Sequence, residues 1–77
     1  MELYLNVGGR SRVVGYDLGT DYLDVYLRGG ACFRYTALSV GLYHLSSMKA
    51  LARLGRGLEA YIEEHPAVRN GHLAQLA

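Results

Sequence analysis

The sequence predicts an α+β fold: a small antiparallel β-meander of three to four strands followed by two helices packed on one sheet face. Three observations carry this. Glycine pairs and a polar turn divide the first half into short segments rich in Val, Tyr and Leu, the residues that suit a pleated, half-buried surface. In the second half the apolar residues recur every three or four positions, as on one side of a helix. At 77 residues the chain is long enough for one core and too short for two, so residues 1–77 are read as a single domain.

The turns come first. Gly8-Gly9, Leu18-Gly19-Thr20-Asp21 and Gly29-Gly30 punctuate the chain, because glycine reaches positive φ without steric cost. Between them, strands are expected at about residues 2–7, 10–17, 21–28 and 31–36. The last hairpin can be fixed by register. A two-residue Gly29-Gly30 loop would set Val25 against Arg34, mixing core with charge. A three-residue loop, Arg28-Gly29-Gly30, pairs Leu27 with Ala31, Val25 with Phe33 and Leu23 with Tyr35, and leaves Asp24 opposite Arg34 on the other face. A slip of one residue would turn a whole strand over, so the apolar pattern selects the second register.

Ser39 is read as the cap of a helix over about 40–53, its hydroxyl satisfying an orphan N–H. Leu38, Leu42, Leu45, Met48 and Ala52 then share one stripe. Gly55-Arg56-Gly57 interrupts the pattern, and a second helix is expected from about Leu58 to Glu64 with Leu58, Tyr61 and Ile62 inward. Pro66 ends that helix or marks the boundary before it, and His65 caps its acidic end. The core is placed in residues 10–65. Residues 67–77, with Val68, Leu73 and Leu76, read as one helical turn or a flexible tail.

Composition removes several classes. Hydrophobic residues make up 51% of the chain, which argues against disorder. No apolar run approaches the roughly 20 residues of a membrane span. The segment Met1–Asn6 lacks the features of a signal peptide, and the single cysteine, Cys32, fits a reducing compartment. A cytoplasmic location is expected. The charges are segregated: through Arg56 there are seven basic and four acidic residues, and from Gly57 onward one basic and three acidic. A mildly basic body beside an acidic helix permits anionic partners.

Catalytic groupings are weak. Cys32 and His44 are the only candidate nucleophile and base, and nothing in their spacing implies contact. Glu63 and Glu64 are adjacent and diverge on a helix surface. The histidines His44, His65 and His72 have no close-spaced ligand pattern, so no metal and no cofactor are expected. Gly55-Arg56-Gly57 could turn backbone N–H groups toward an anion, but a helix–helix turn explains it more simply. On the register above, Tyr22, Asp24, Tyr26, Arg28, Cys32 and Arg34 share the sheet face away from the helices. Tyrosine and arginine there suit single-stranded nucleic acid, and suit a protein interface equally.

From Ser11 to Ile62 the chain resembles the KTSC domain, a short module found at the C-terminus of some lysyl-tRNA synthetases and alone in small bacterial and phage proteins. The resemblance rests on Ser11 followed by Val13-Val14-Gly15-Tyr16-Asp17 and on Leu23-x-Val25-x-Leu27 with its glycine turn. It continues through Phe33-Arg34-Tyr35, Leu38, Leu42-Tyr43, and Gly55-Arg56 leading to Tyr61-Ile62. It implies a compact α+β domain without known enzymatic activity and with a suspected role in RNA binding. Phe33 stands where the family has a tyrosine, and Ser39 where it has a proline. Arg53 and Leu54 occupy the place of a Ser-x-Gly pattern, with a helix about two residues longer.

The leading expectation is a non-enzymatic nucleic-acid-binding module for RNA or single strands. Arg12, Arg28, Arg34, Lys49, Arg53 and Arg56 would contact phosphate, and Tyr26 would stack on bases. The rival is a protein–protein module, either a homodimer or a small phage-type accessory or inhibitor protein. Neither reading involves a membrane or an evident small-molecule substrate.

Overall fold

A computed structural model describes the fold of residues 1–72, 74 and 75; the expectations for Leu73 and Leu76 lie outside the described residues. The strands are β1 (Glu2–Leu3), β2 (Val13–Leu18), β3 (Tyr22–Leu27) and β4 (Cys32–Thr36). The helices α1 (Ala37–Val40), α2 (Leu42–Leu54), α3 (Leu58–Glu64) and α4 (Pro66–Arg69) follow, and β5 (Ala74–Gln75) returns to the sheet. All pairings are antiparallel, in the order β1-β2-β3-β4-β5. The meander followed by helices is the α+β arrangement expected, with β5 added beside β4.

The β3–β4 hairpin has the register that the apolar pattern selects: Leu23 pairs with Tyr35, Asp24 with Arg34 and Val25 with Phe33. The Leu27 N–H bonds Ala31 O at 2.7 Å across the three-residue loop. Leu23, Val25 and Tyr35 are buried against the helices. On β2 a bulge falls at Val14, so Val13 pairs with Leu27 and Gly15 with Tyr26. Without that extra residue Val13 and Tyr16 would face opposite sides. With it, both enter the core.

The first two strands are shorter than the sequence suggests, and Asn6 is the reason. Its φ of 54° turns the chain off the sheet. Its side chain holds Ser11 in both directions, Nδ2 donating to Ser11 O and Oδ1 accepting from Ser11 N, each at 3.0 Å. The Val7 N–H then bonds Gly55 O at 2.8 Å, fastening the β1–β2 loop to the turn between α2 and α3.

Ser39 is not the cap of the long helix. Thr36 caps α1, accepting from the Ser39 N–H at 3.0 Å, while Ser39 Oγ accepts from the Thr36 N–H at 2.9 Å. Gly41, at φ 90°, stops α1, and α2 starts afresh with a different phase. The expected stripe is therefore cut: Leu45, Met48 and Ala52 are buried, but Leu42 is 71% exposed and Leu38 is 99% exposed.

The helix over Leu58–Glu64 has the bounds expected, with Leu58 fully buried and Tyr61 and Ile62 packed on the core. His65 Nδ1 donates to Tyr61 O at 2.8 Å and closes its C-terminus. Pro66 opens α4, where its missing N–H is harmless. Tyr4 and Val68 join the core from outside residues 10–65.

Candidate interaction surfaces

The sheet face away from the helices is not an open tyrosine–arginine platform. Asp24 is 3% exposed and Cys32 2% exposed, because long neighbours lie across them. Arg34 forks onto Asp24, Nε to Oδ1 at 2.7 Å and Nη2 to Oδ2 at 2.9 Å, and its guanidinium lies 4.2 Å from the centre of the Tyr22 ring. The Tyr26 hydroxyl donates to Asp17 Oδ2 at 2.5 Å, and Asp17 also meets the α-amino group of Met1 at 3.1 Å. Arg34 and Tyr26 thus spend their polar groups within the sheet.

These contacts set proton affinities. The bond from Tyr26, followed by that from the Met1 amine, holds the Asp17 carboxyl below its ordinary value. The same bond, then desolvation and the Asp17 charge, pushes Tyr26 up to about 12. A phenol raised in the fold contributes stability that is present below the ordinary tyrosine value and lost as pH rises toward about 12. Ultraviolet titration should therefore show a late tyrosinate step absent from Tyr26→Phe. A Tyr26→Phe curve superimposable on that of the unaltered protein would sink this assignment. Burial raises the Cys32 thiol, which suits a packed side chain better than a nucleophile. Its candidate base, His44, sits on α2 across the sheet and bonds Tyr61 Oη through Nδ1 at 2.6 Å.

The other sequence candidates divide sharply. Arg12 donates to Glu59 through its backbone N (2.8 Å) and Nε (2.6 Å), with Glu63 3.9 Å from Nη2. Burial alone would raise the Glu59 carboxyl, but the bonds from Arg12 bring it below its usual range. Lys49 Nζ donates to Gly19 O at 2.6 Å and Thr20 O at 3.1 Å, closing the β2–β3 turn. Arg28 reaches Ser11 O at 3.3 Å from an exposed hairpin tip. Arg53 and Arg56 are exposed.

The structure gathers two of these with a residue the sequence reading did not choose. Arg10, Arg12 and Arg56 line one cleft of about 430 Å³, which Glu59 and Glu63 also enter. Arg10 arrives because the loop fastened by Asn6 and Val7 lies against the α2–α3 turn; the Asn6 and Gly8-Gly9 turn residues were its only signal. Two of the backbone N–H groups of that turn are already engaged within the fold. The Gly55 N–H bonds Leu51 O and Ala52 O to close α2, and the Leu58 N–H is taken by Tyr4 Oη at 3.3 Å. Among the described residues, no three His, Cys, Asp or Glu side chains are placed to hold a metal ion.

Apolar side chains make up the rest of the exposed surface of interest. Leu3 is 76% exposed and Leu5 73% exposed along and just beyond β1, and Val7 and Leu54 are exposed nearby. Leu38, Leu42 and Tyr43 form a second group at the start of the helices. No described helix is long and apolar enough to cross a membrane. No family model, no curated protein and no solved structure matches this chain.

Proposed function

We propose that this chain is a non-enzymatic protein-interaction module that docks through β1, with a second copy of itself as the partner. The observation behind this is that β1 is an end strand of the sheet and that, along and just beyond it, exposed Leu3 and Leu5 flank buried Tyr4. In an antiparallel ladder, alternate residues turn their N–H and C=O toward the neighbour. The Tyr4 N–H bonds Val14 O at 3.1 Å, so Leu3 and Leu5 present theirs outward. End strands are commonly guarded by lysine, proline or a bulge, and here Glu2 is the only charge on the strand. A two-fold antiparallel pairing centred on Leu3 sets Met1 against Leu5 of the second copy and Glu2 against Tyr4, keeping like charges apart.

The KTSC resemblance points instead toward RNA. That reading is weaker on this chain because Arg34, Lys49 and Tyr26 spend their polar groups within the fold and the exposed Arg12 is paired with Glu59, leaving Arg28, Arg53 and Arg56 as the exposed cations without a carboxylate partner among those the sequence points to. Sedimentation over a concentration series separates the two. A dimer should form by about 100 µM, as expected of a small interface, and Leu3→Lys with Leu5→Lys should return it to monomer with an unchanged circular dichroism spectrum. A chain that stays monomeric at that concentration and retards labelled RNA at low salt would replace this reading with the nucleic-acid one.

A further inference from the structure

Between α3 and the helix-facing side of β3 and β4 lies a groove of about 210 Å³. Its walls are Leu27, Phe33 and Ile62, all half-buried, and Tyr35 lies among them. Tyr35 is 4% exposed, yet its hydroxyl makes no hydrogen bond to any described residue, and burial is the sole cause raising its proton affinity. No side-chain polar atom among the described residues is both sealed from solvent and unpartnered, so this hydroxyl keeps a narrow opening. Tyr35 is one of the residues that line the groove. A hydroxyl so placed favours an occupant that brings the missing partner.

The rim and the volume narrow the chemistry. Arg12 is matched by Glu59 and Glu63, and Arg69 donates to Glu63 O at 3.3 Å, so two cations and two carboxylates balance. A neutral occupant fits that rim better than an ion. His72 stands edge-on to Phe33 with ring centres 4.9 Å apart, adding an aromatic wall. A closed apolar cavity of roughly 150 Å³ holds benzene, so this space suits one ring or two fused rings. We infer that the groove binds a small neutral aromatic molecule carrying one hydrogen-bonding group, which meets the Tyr35 hydroxyl while its ring lies between Phe33 and Ile62.

Indole and its carbocyclic analogue indene serve as probes. Titrating isotope-labelled full-length protein with indole should move the Phe33, Tyr35 and Ile62 resonances, with Kd about 0.1–1 mM for so small a ligand. Indene should bind about fivefold more weakly, the worth of one hydrogen bond. Tyr35→Phe should erase that difference, and Ile62→Trp should abolish binding by filling the space. Equal affinity for indole and indene on the unaltered protein, or no shifts with indole at about 5 mM, would overturn the inference. Neither outcome bears on the β1 surface, because no residue of β1 lines the groove.

Discussion

Leu58→Ala should lower the free energy of unfolding by about 2–5 kcal/mol, the range for emptying a leucine site in a packed core. A domain of this length commands only about 4–12 kcal/mol in total, so this variant approaches the limit of folding. Leu58 is fully buried at the first position of α3, and its own N–H is held by Tyr4 Oη. The surrounding backbone is thereby pinned, which hinders collapse into the vacated space. Urea denaturation should show a lower midpoint with an unchanged slope. Leu54→Ala, on the exposed side of α2, should stay within about 0.5 kcal/mol of the parent. Equal losses for the two would mean that α3 is not seated as described.

Gly55→Ala should be the second most damaging change, costing about 2–3 kcal/mol. Two effects add. Gly55 sits at φ 77°, where a Cβ is strained, and an ideal Cβ there would come 2.4 Å from Leu5 Cβ. The second effect presses on the segment that joins β1 to the body, since Val7 bonds Gly55 O. Gly29→Ala provides the comparison, because its φ of 96° carries the same backbone strain but nothing lies within 4 Å. Thermal unfolding should place Gly55→Ala well below Gly29→Ala. Coincident melting curves would show that Leu5 yields freely, and the account of the loop would fail.

What the sequence disclosed follows from how far each signal reaches. The β3–β4 register was legible because Leu23, Val25, Phe33 and Tyr35 admit only one arrangement that avoids burying Arg34 beside Val25. The helix Leu58–Glu64 was legible because Gly57 and Pro66 bracket it. The break at Gly41 was not, since Leu38 and Leu42 continue a helical spacing that one residue of positive φ then interrupts. The bulge at Val14 was equally hidden: Val13 and Tyr16 reveal their common direction only once β3 is beside them.

The candidate site was read less well, for a physical reason. Residue type identifies a cation but not its partner. Arg12 lies 47 residues from Glu59 in the chain, and Lys49 lies 30 from Gly19. Arg34 and Asp24 were seen to be opposite, but the guanidinium's reach across the strands, with Tyr22 above it, depends on side-chain packing that alternation does not express.

The return of Ala74–Gln75 to pair with Phe33 and Arg34 occupies the outer side of β4. The sheet therefore ends in β1 on one side and in the two-residue β5 on the other. If copies join through β1 about a two-fold axis, that margin is used up on both, and a third molecule finds no β1 left to extend. Assembly through β1 would then terminate at two rather than propagate into a filament.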